Sequence, residues 1–501
     1  MNSQLAELRQ HLAQIDDLGS AAALLDWDQN TKMPPAGAAH RAEVIGTIES
    51  IRHERFTSAQ TERLLEGAAA EVNGADPESD DARIVVEARR RYQKASRVPT
   101  ELAAALARSA ALGHERWVKA RGEDDFSIFA PQLESHLELV HRYIGCFEGY
   151  DDDYDVLLDD YDPGLTRARV DQLFGELKSE LTPLIARLSG QEIDGSVKHL
   201  NFPVAQQRLL VREVVGWMGF NDEGWRLDDT EHPFATSIGH GDTRITDRYD
   251  EQYFPCALYG AMHECGHGLY DSGIAQELYR TPLGQATSLT IHESQSRLWE
   301  NLVGRSRGFC GHLAPRLAEL GGGAFTGLSG ETLFKAVNEV KPSLIRIEAD
   351  ETTYPLHVVI RFELEQLLVR GELSVQDLPA AWNSRMHDYL GVDVPSDAVG
   401  VLQDVHWSAG LFGYFPTYAL GNLLAGQLWE QAHRDLPQLD AQIATGELMP
   451  LREWLREHVH RHGSKFDCTE LAQRVVGGPL RVAPFMNYLK AKLGDVYEVE
   501  L

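Results

Sequence analysis

Apolar residues recur at every third or fourth position through most of the chain, and this spacing places them on one face of an α-helix. The first such series lies near the start of the chain and consists of Leu5, Leu8, Leu12, Ile15 and Leu18. Another series follows Pro355 and ends before Gly371, and a proline at the start with a glycine after the end is typical of a helix. The pattern therefore predicts a mainly α-helical protein.

Residues 226–254 depart from the helical pattern. They contain His232-Pro233-Phe234, Gly239-His240-Gly241-Asp242 and the alternating Thr243-Arg244-Ile245-Thr246. Alternation beside a glycine-containing turn predicts short strands, and we expect a small antiparallel β-sheet. A free edge of that sheet would let an extended peptide bind as an additional strand through main-chain hydrogen bonds.

No internal repeat and no proline- or serine-rich linker divides the 501 residues, so we expect one domain over residues 1–501. That length exceeds the ~250–300 residues at which a single core usually stops growing, which predicts two lobes around a deep central cleft. We place the functional core at approximately residues 226–420, where the strands and the motifs described below are found.

Composition narrows the class of protein. With 43% hydrophobic and 25% charged residues, the chain is typical of a globular protein. The five cysteines show no C-x-x-C spacing, so we expect neither a disulfide framework nor a cysteine metal site, as is usual in a reducing cytosol. Residues 1–25 lack the apolar segment of a signal peptide, and no run of ~18 apolar residues follows, so we expect a cytoplasmic protein without a membrane span.

The charge balance excludes another class of function. The 47 basic and 76 acidic residues give a net charge of −29 at pH 7. Because such a field repels phosphate backbones, we expect no binding to nucleic acid. Acidic runs such as Asp151-Asp152-Asp153 are most simply solvated surface.

The segment His263-Glu264-Cys265-Gly266-His267 carries the strongest chemical signal. Histidines four positions apart on a helix project from the same face, so both imidazoles can bind one metal ion. The glutamate next to the first histidine then points at a water molecule on that metal, where it can act as general base. Cys265 lies about 200° around the helix from each histidine, and we interpret it as a core thiol. The motif predicts a catalytic zinc site.

A third ligand is expected from the segment that begins at His292. This segment lacks glycine and proline and predicts a second helix facing the first. Glu293 is the expected ligand, and Glu300 is the alternative because its spacing keeps it on the same helix face. Two neutral histidines and one carboxylate leave Zn²⁺ with residual positive charge, which lowers the pKa of its water toward ~7 and allows Glu264 to accept a proton. This combination is typical of amide hydrolysis.

Six motifs together resemble those of the carboxypeptidase Taq family of zinc metallocarboxypeptidases, in that family's order. They are His232-Pro233-Phe234, Asp242-Thr243-Arg244-Ile245-Thr246, the motif from His263 to His267, His292-Glu293-Ser294-Gln295, Ile345-Arg346-Ile347-Glu348-Ala349-Asp350 and Gly400-Val401-Leu402-Gln403-Asp404-Val405-His406-Trp407. The N-terminal segment Leu24-Leu25-Asp26-Trp27-Asp28 is also similar, so the resemblance spans nearly the whole chain. Gly268 stands where the family has alanine, which affects packing and not mechanism.

The resemblance implies a multi-helix zincin-type peptidase fold and a homodimer. It also implies stepwise release of amino acids from the free C-terminus of peptides, with broad preference and poor action on proline. Activity with Co²⁺ in place of Zn²⁺ is a further implication. We therefore expect peptides with a free C-terminus to be the substrates.

Recognition of a free C-terminus requires a group that binds carboxylate, and a planar guanidinium does so with two parallel charge-assisted hydrogen bonds. Arg244 and Arg346 lie in two of the motifs and are the candidates. Similarity to the family favours Arg346 for the terminal carboxylate. Arg244 either shares this task or holds the cleft together.

Hydrolysis develops negative charge on the former carbonyl oxygen, and donors aimed at that atom stabilise the transition state. We expect His406 and Tyr414 to be these donors. Gln403 and Asp404 precede the histidine and could fix its tautomer. Tyr418 is close enough in sequence to be the alternative to Tyr414.

These motifs predict a zinc metallocarboxypeptidase, and two alternatives are kept. The nearer is a zinc oligopeptidase that cuts inside short peptides with the same metal chemistry. The other is a non-catalytic scaffold whose zinc only stabilises the fold. Glu264 argues against the scaffold, because structural zinc sites are usually closed by four protein ligands and need no base. Outside the motifs, His240 near the hairpin turn is the only histidine we would test.

Overall fold

Helices dominate the structure, a computed structural model that describes residues 3–501. The helices before the strands are α1 (Gln4–Thr31), α2 (Ala38–Phe56), α3 (Ala59–Val72), α4 (Asp80–Arg97), α5 (Thr100–Glu123), α6 (Ala130–Ile144), α7 (Asp153–Leu158), α8 (Arg167–Leu188) and α9 (Val204–Met218). Those after them are α10 (Pro255–Gly273), α11 (Leu289–Arg297), α12 (Arg307–Gly321), α13 (Gly330–Val337), α14 (Tyr354–Val369), α15 (Leu378–Leu390), α16 (Pro416–Asp435), α17 (Leu439–Ala444), α18 (Met449–His458), α19 (Cys468–Val476) and α20 (Ala483–Tyr497). The predicted mainly helical fold is confirmed. Across residues 3–501, no helix has both the length and the apolar composition needed to cross a bilayer.

Both helices expected from apolar spacing are present, and α1 continues beyond the predicted series to Thr31. α1 starts after Ser3, whose hydroxyl accepts a hydrogen bond from the Ala6 N–H and so caps the first turn. α14 has Pro355 in its first turn, where an N–H would have no intrahelical partner. Gly371 lies beyond its end with φ = 69°, a left-handed conformation that glycine adopts without strain. Local sequence therefore determines both boundaries of α14.

The strands β1 (Trp225–Asp229), β2 (Ala235–Gly239) and β3 (Asp242–Asp247) form one small sheet in the order β1-β3-β2. β2 and β3 are an antiparallel pair, and a φ of 79° at Gly241 permits the tight turn between them. β1 pairs with β3 in parallel, because the chain forms β2 at the far edge before it returns as β3. The small sheet is confirmed, but its antiparallel pairing holds only for β2 and β3.

Two groups of buried apolar side chains hold the helices together. The larger group includes residues of α10, α11, α14 and α16. The smaller group joins α1, α3 and α4 to Ile274, Leu278 and Leu283, in the segment between α10 and α11. The N-terminal helices therefore adjoin the connection between the two helices that carry the predicted metal ligands. The division into two lobes around a deep cleft stays a prediction.

Candidate active site

Helices α10 and α11 bring the three predicted metal ligands together. The Nε2 atoms of His263 and His267 lie 3.2 Å apart, and the Oε2 atom of Glu293 is 3.7 Å from the first and 3.5 Å from the second. Bonds of ~2.1 Å to a tetrahedral Zn²⁺ would separate neighbouring ligand atoms by about 3.4 Å. The three side chains therefore fit a single metal ion, with a fourth coordination position left for water or substrate.

Two glycines allow helices to approach the third ligand closely. A Cβ atom at Gly266 of α10 would lie 2.7 Å from the Ser296 Cα atom, and one at Gly421 of α16 would lie 2.7 Å from the Glu293 side chain. Real Cβ atoms do not make contacts that short, so α11 fits between α10 and α16 only because both positions lack a side chain. This packing holds Glu293 opposite the histidines.

Two other expectations about α10 agree with its packing. Cys265 has no exposed surface, and burial raises the pKa of its thiol, as expected of a core residue. A Cβ atom at Gly268 would lie 2.6 Å from the ring of Trp225 in β1, so glycine makes room for the tryptophan. The departure from alanine at this position is therefore a matter of packing between α10 and the sheet.

Glu300, the alternative third ligand, contacts His263, one of the predicted ligands, instead. Its Oε2 atom lies 2.9 Å from Nδ1 of His263, so the other ring nitrogen of His263 faces the metal position. Arg297 and Arg305 donate to the same carboxylate at 3.1 and 3.3 Å. Burial raises the pKa of Glu300, but the Arg297 charge and the His263 hydrogen bond bring it down to about 2. Glu300 is thus ionised and orients His263.

The protonation states of Glu293 and His267 also suit a metal. Arg297 donates from Nε to Oε1 of Glu293 at 2.7 Å, which leaves Oε2 facing the histidines. Burial raises the pKa of Glu293, but Arg297 and His263 hold it well below its usual range. Burial, helped by the neighbouring His292, lowers the pKa of His267 to about 4. The carboxylate is therefore charged and the His267 imidazole neutral near pH 7, and these forms bind metal ions.

Glu264, the predicted general base, lies on α10 between the two histidines with 8% of its surface exposed. Burial raises the pKa of its carboxyl from 4.5 to about 7, against the lowering effect of His263. A carboxyl group whose pKa lies near the working pH can both accept and release a proton. The environment of Glu264 therefore suits its predicted role.

Arg346 belongs to a second buried charged group. Its Nε and Nη2 atoms donate to Asp404 Oδ1 at 3.1 and 2.8 Å, and its Nη1 atom donates to the Tyr354 hydroxyl at 3.0 Å. Arg361 of α14, which has no exposed surface, donates to the other Asp404 oxygen. We call Arg346, Arg361 and Asp404 the arginine cluster. Two guanidinium groups share one carboxylate, so the cluster carries a surplus positive charge.

Arg361 was not among the predicted site residues. Burial lowers its pKa to about 10, against the raising effect of Asp404, so the guanidinium stays protonated near pH 7. Its only signal in the sequence is an arginine within an otherwise apolar stretch of the predicted helix after Pro355. A charged residue on a fully buried helix requires a partner, and the identity of that partner depends on tertiary structure.

Arg244 has a different environment. Its Nε and Nη2 atoms donate to Asp242, both at 2.8 Å, and its guanidinium stands 4.3 Å from the centre of the Trp27 ring of α1. This arrangement occupies the guanidinium fork and attaches α1 to β3, which favours the structural alternative over carboxylate binding. His240, at the hairpin turn, packs against the Tyr279 ring at 5.2 Å and is not one of the clustered metal-ligating side chains.

The predicted oxyanion donors lie together. His406 Nε2 is 3.1 Å from the Tyr418 hydroxyl, and the Tyr414 ring centre is 5.4 Å from both the His406 ring and the Tyr418 ring. Burial lowers the pKa of His406 to about 3, so its imidazole is neutral and has one N–H to donate. The geometry thus brings the histidine and both tyrosines together and leaves Tyr414 and Tyr418 as alternatives.

The expected partners of His406 were wrong. Gln403 Oε1 accepts the backbone N–H of Arg346 at 2.9 Å, and both oxygens of Asp404 accept from arginine side chains. The hydrogen-bond partner of His406 is Tyr418 instead. The reason is that the buried guanidinium of Arg361, distant in sequence, requires the Asp404 carboxylate more than a neutral imidazole does.

Tyr354, at the start of α14, connects the metal ligands with the arginine cluster. The Arg297 guanidinium, which holds Glu293, stands 4.1 Å from the centre of the Tyr354 ring. The Tyr354 hydroxyl accepts a hydrogen bond from Arg346. This tyrosine was not predicted, because a single aromatic residue in an apolar stretch is usually a core residue.

Glu365 of α14 holds the segment that carries His406 and Tyr414. Its carboxylate accepts hydrogen bonds from the Tyr154 hydroxyl at 2.6 Å and from Trp407 Nε1 at 2.7 Å, and also from the Gly413 N–H. Burial raises its pKa from 4.5 to about 7 against the lowering effect of these donors. All three donors are neutral, so this buried carboxylate has hydrogen bonds but no countercharge.

The whole chain, and not the site alone, is similar to known proteins. Residues 7–493 match the family model described as carboxypeptidase Taq (M32) metallopeptidase. Thermostable carboxypeptidase 1 of Thermus thermophilus is 42% identical over 504 residues with 98% of each chain covered, and carboxypeptidase 1 of Bacillus subtilis is 38% identical over 489 residues with 97% of each covered. The crystal structure of an M32 carboxypeptidase from Deinococcus radiodurans superimposes with a TM-score of 0.95 at 38% identity, covering 99% of this chain and 100% of that one. The chain therefore belongs to the carboxypeptidase Taq (M32) family of metallopeptidases, and it is a metallocarboxypeptidase.

Proposed function

We propose that the protein binds Zn²⁺ through His263, His267 and Glu293 and removes amino acids one at a time from the free C-terminus of peptides. The observation that carries this proposal is the spacing of the three ligand atoms, 3.2, 3.5 and 3.7 Å, which matches a tetrahedral metal. Two imidazoles and one carboxylate suit Zn²⁺, and Co²⁺ accepts the same donors. When bound, the metal supplies Lewis acidity, which polarises a peptide carbonyl and lowers the pKa of a water molecule.

Glu264 acts as the general base in this proposal. With a carboxyl pKa of about 7, it takes a proton from the attacking water and passes it to the leaving amine. His406 donates a hydrogen bond to the oxygen on which negative charge develops, together with Tyr414 or, alternatively, Tyr418. These donors stabilise the transition state more than the substrate, because the charge they face is absent before attack.

The terminal carboxylate of the substrate binds at Arg346. An arginine has five N–H groups, and Arg346 uses two toward Asp404 and one toward Tyr354, which leaves two for a ligand. A carboxylate would also neutralise the surplus positive charge of the arginine cluster. An internal peptide bond or an amidated terminus carries no negative charge. The arginine cluster therefore favours a carboxypeptidase over the oligopeptidase alternative.

Broad specificity is supported by β2, which forms an edge of the sheet and contacts α10. Main-chain hydrogen bonds from an edge strand to an extended peptide tolerate many side chains. Proline has no N–H to contribute to such pairing, which would explain poor action on it. The homodimer and the cytoplasmic location stay predictions.

The test compares an unmodified peptide with its C-terminally amidated twin, with products identified by mass spectrometry and the zinc content of each protein sample measured. Wild type should produce a ladder shortened one residue at a time from the free terminus only. Glu264→Gln should retain zinc and produce no ladder. Glu277→Gln, at an exposed glutamate just after α10, is the matched control and should behave as wild type.

Two other outcomes would replace the proposal. Internal fragments from both peptides would support the zinc oligopeptidase. A zinc-loaded wild type without activity on any peptide would support the scaffold.

A further inference from the structure

A chain of three side chains runs away from one of the proposed metal ligands. Nδ1 of His267 is in hydrogen-bond contact with Nδ1 of His292, and Nε2 of His292 lies 3.2 Å from Oδ1 of Asp271. The three side chains are between 16% and 20% exposed, so solvent contributes little to these contacts. His292 directly precedes Glu293 in the sequence, yet the function proposed above assigns no role to it.

The direction of each hydrogen bond follows from metal binding. His267 faces the metal position with Nε2, so the proton of its neutral ring must be on Nδ1. That N–H can donate only to a nitrogen with a free lone pair, which places the proton of His292 on Nε2. The Nε2–H of His292 then donates to the Asp271 carboxylate. Each of the three groups is left with the one hydrogen-bonding role that its neighbour requires.

We propose that His292 and Asp271 are positioning residues that hold the His267 ring with Nε2 toward the metal and fix its tautomer, an inference that rests on the proposed zinc site. A metal-bound histidine commonly donates its other N–H to a carboxylate, which orients the ring and increases its basicity. Here the carboxylate acts through a second imidazole.

The two histidine ligands are therefore supported in different ways. His263 contacts the Glu300 carboxylate directly, at 2.9 Å, and Glu300 is itself paired with Arg297 and Arg305. In the part of the chain that the structure describes, Asp271 pairs with no arginine or lysine, and His292 is its only charged or titratable partner within salt-bridge distance. The negative charge of Asp271 is thus directed toward the ligand with no guanidinium to offset it.

The contacts of His292 extend over two helices. Asp271 lies on α10 one turn after His267, and His292 reaches both residues from α11. The same contacts therefore link the two helices that carry the ligands. A role in metal binding and a role in helix packing must be separated by experiment, because both would be lost together in a simple activity assay.

The experiment measures the zinc dissociation constant by competition with a chromophoric chelator, and the melting temperature of each metal-free protein. The variants are His292→Phe, which keeps a ring but no acceptor, Asp271→Asn, which keeps size but not charge, and the double variant. Glu300→Gln is the matched variant at the other histidine. Loss of an outer partner weakens metal binding by about 10- to 100-fold, and we expect this for His292→Phe, with a loss of roughly 10-fold for Asp271→Asn.

The decisive result is the coupling between the two substitutions. If Asp271 acts through His292, Asp271→Asn should have no further effect on zinc affinity once His292→Phe is present, whereas Glu300→Gln should add its full effect. The metal-free melting temperatures of Asp271→Asn and wild type should agree. Wild-type zinc affinity in both single variants would overturn the inference, and so would losses that simply add in the double variant. Failure of the proposed zinc site would instead be visible in wild type itself, as absence of tight zinc binding.

Discussion

The metal-binding end of the site and the arginine end carry opposite surplus charges. At the metal-binding end, three carboxylates face two guanidinium groups. The carboxylates are Glu293, Glu300 and Asp271, and the guanidinium groups are Arg297 and Arg305. At the arginine end, Arg346 and Arg361 share the single carboxylate of Asp404. The first end lacks a cation and the second lacks an anion, although both are built from the same kinds of side chain.

This difference in charge indicates which ligand each end of the site binds. A buried charge without a partner is unfavourable, so a surplus persists where a ligand completes it during function. A divalent metal would complete the first end, and the terminal carboxylate of a peptide would complete the second. Tyr354 contacts Arg297 through its ring and Arg346 through its hydroxyl, so the metal-binding end and the arginine end meet at this side chain.

The largest expected effect comes from removing the base at the metal-binding end. Glu264→Gln should lower kcat by about 10²- to 10⁴-fold, the usual contribution of general acid–base catalysis. The change leaves His263, His267 and Glu293 untouched, so the zinc content should not fall. Steady-state kinetics and metal analysis on the same sample check both statements. A kcat within about threefold of wild type would remove Glu264 from the chemistry.

The next effect concerns the countercharge at the arginine end. Asp404→Asn leaves two buried guanidinium groups without a carboxylate and should destabilise the protein by about 3–5 kcal/mol. The matched control is Asp242→Asn, which removes the bidentate partner of Arg244 at a site where the aspartate is 42% exposed. Asp242→Asn should lower the free energy of unfolding by only about 0–1 kcal/mol. Denaturant unfolding of the three proteins measures this, and equal losses in the two variants would show that the surplus charge of the cluster has no special consequence.

The smallest effect is a change in the pH dependence of stability. Glu365 has a folded-state carboxyl pKa of about 7 against an ordinary value of 4.5, so the folded protein holds a proton that the unfolded chain has released. The free energy of unfolding is therefore highest below pH ~4.5. It falls between pH ~4.5 and about 7, by up to about 1.4 kcal/mol per pH unit. In Glu365→Gln this loss should disappear. Unfolding midpoints of both proteins from pH 4.5 to 8 measure it, and parallel curves would contradict the raised pKa.

Local sequence was enough to predict that His263 and His267 lie together as candidate metal ligands, with Glu264 between them on the same helix. Histidines four positions apart on a helix must share a face, and this holds before any tertiary contact is known. The choice between Glu293 and Glu300 was harder, because residues seven positions apart in an α-helix also share a face. The structure separates them through a π-helical turn, Leu298–Val303, which changes the rotation per residue after α11 and brings Glu300 to the far side of the His263 ring.

The arginine end could be predicted only in part. Arg346 was recognisable from its motif, but Arg361, Tyr354 and Glu365 lie on one helix that was predicted from its apolar positions alone. Their importance depends on which distant residues they meet, and Asp404 is the clearest case. The aspartate was expected to serve His406, two positions away, and it serves two arginines 43 and 58 positions away instead. Similarly, the parallel pairing of β1 with β3 depends on the order in which the chain forms the edges of the sheet.

We expect the arginine end of the site to recognise the free C-terminus of a peptide. The most direct measurement is the ratio of kcat/KM for a peptide to that for its amidated twin, in wild type and in Arg346→Ala. Hydrogen bonds to charged groups contribute about 1.5–3 kcal/mol, so the ratio should fall by about 10- to 10²-fold in the variant. Arg244→Ala is the control, because its guanidinium is already engaged by Asp242, and the ratio should not change. An unchanged ratio in Arg346→Ala would show that Arg346 does not bind the terminal carboxylate.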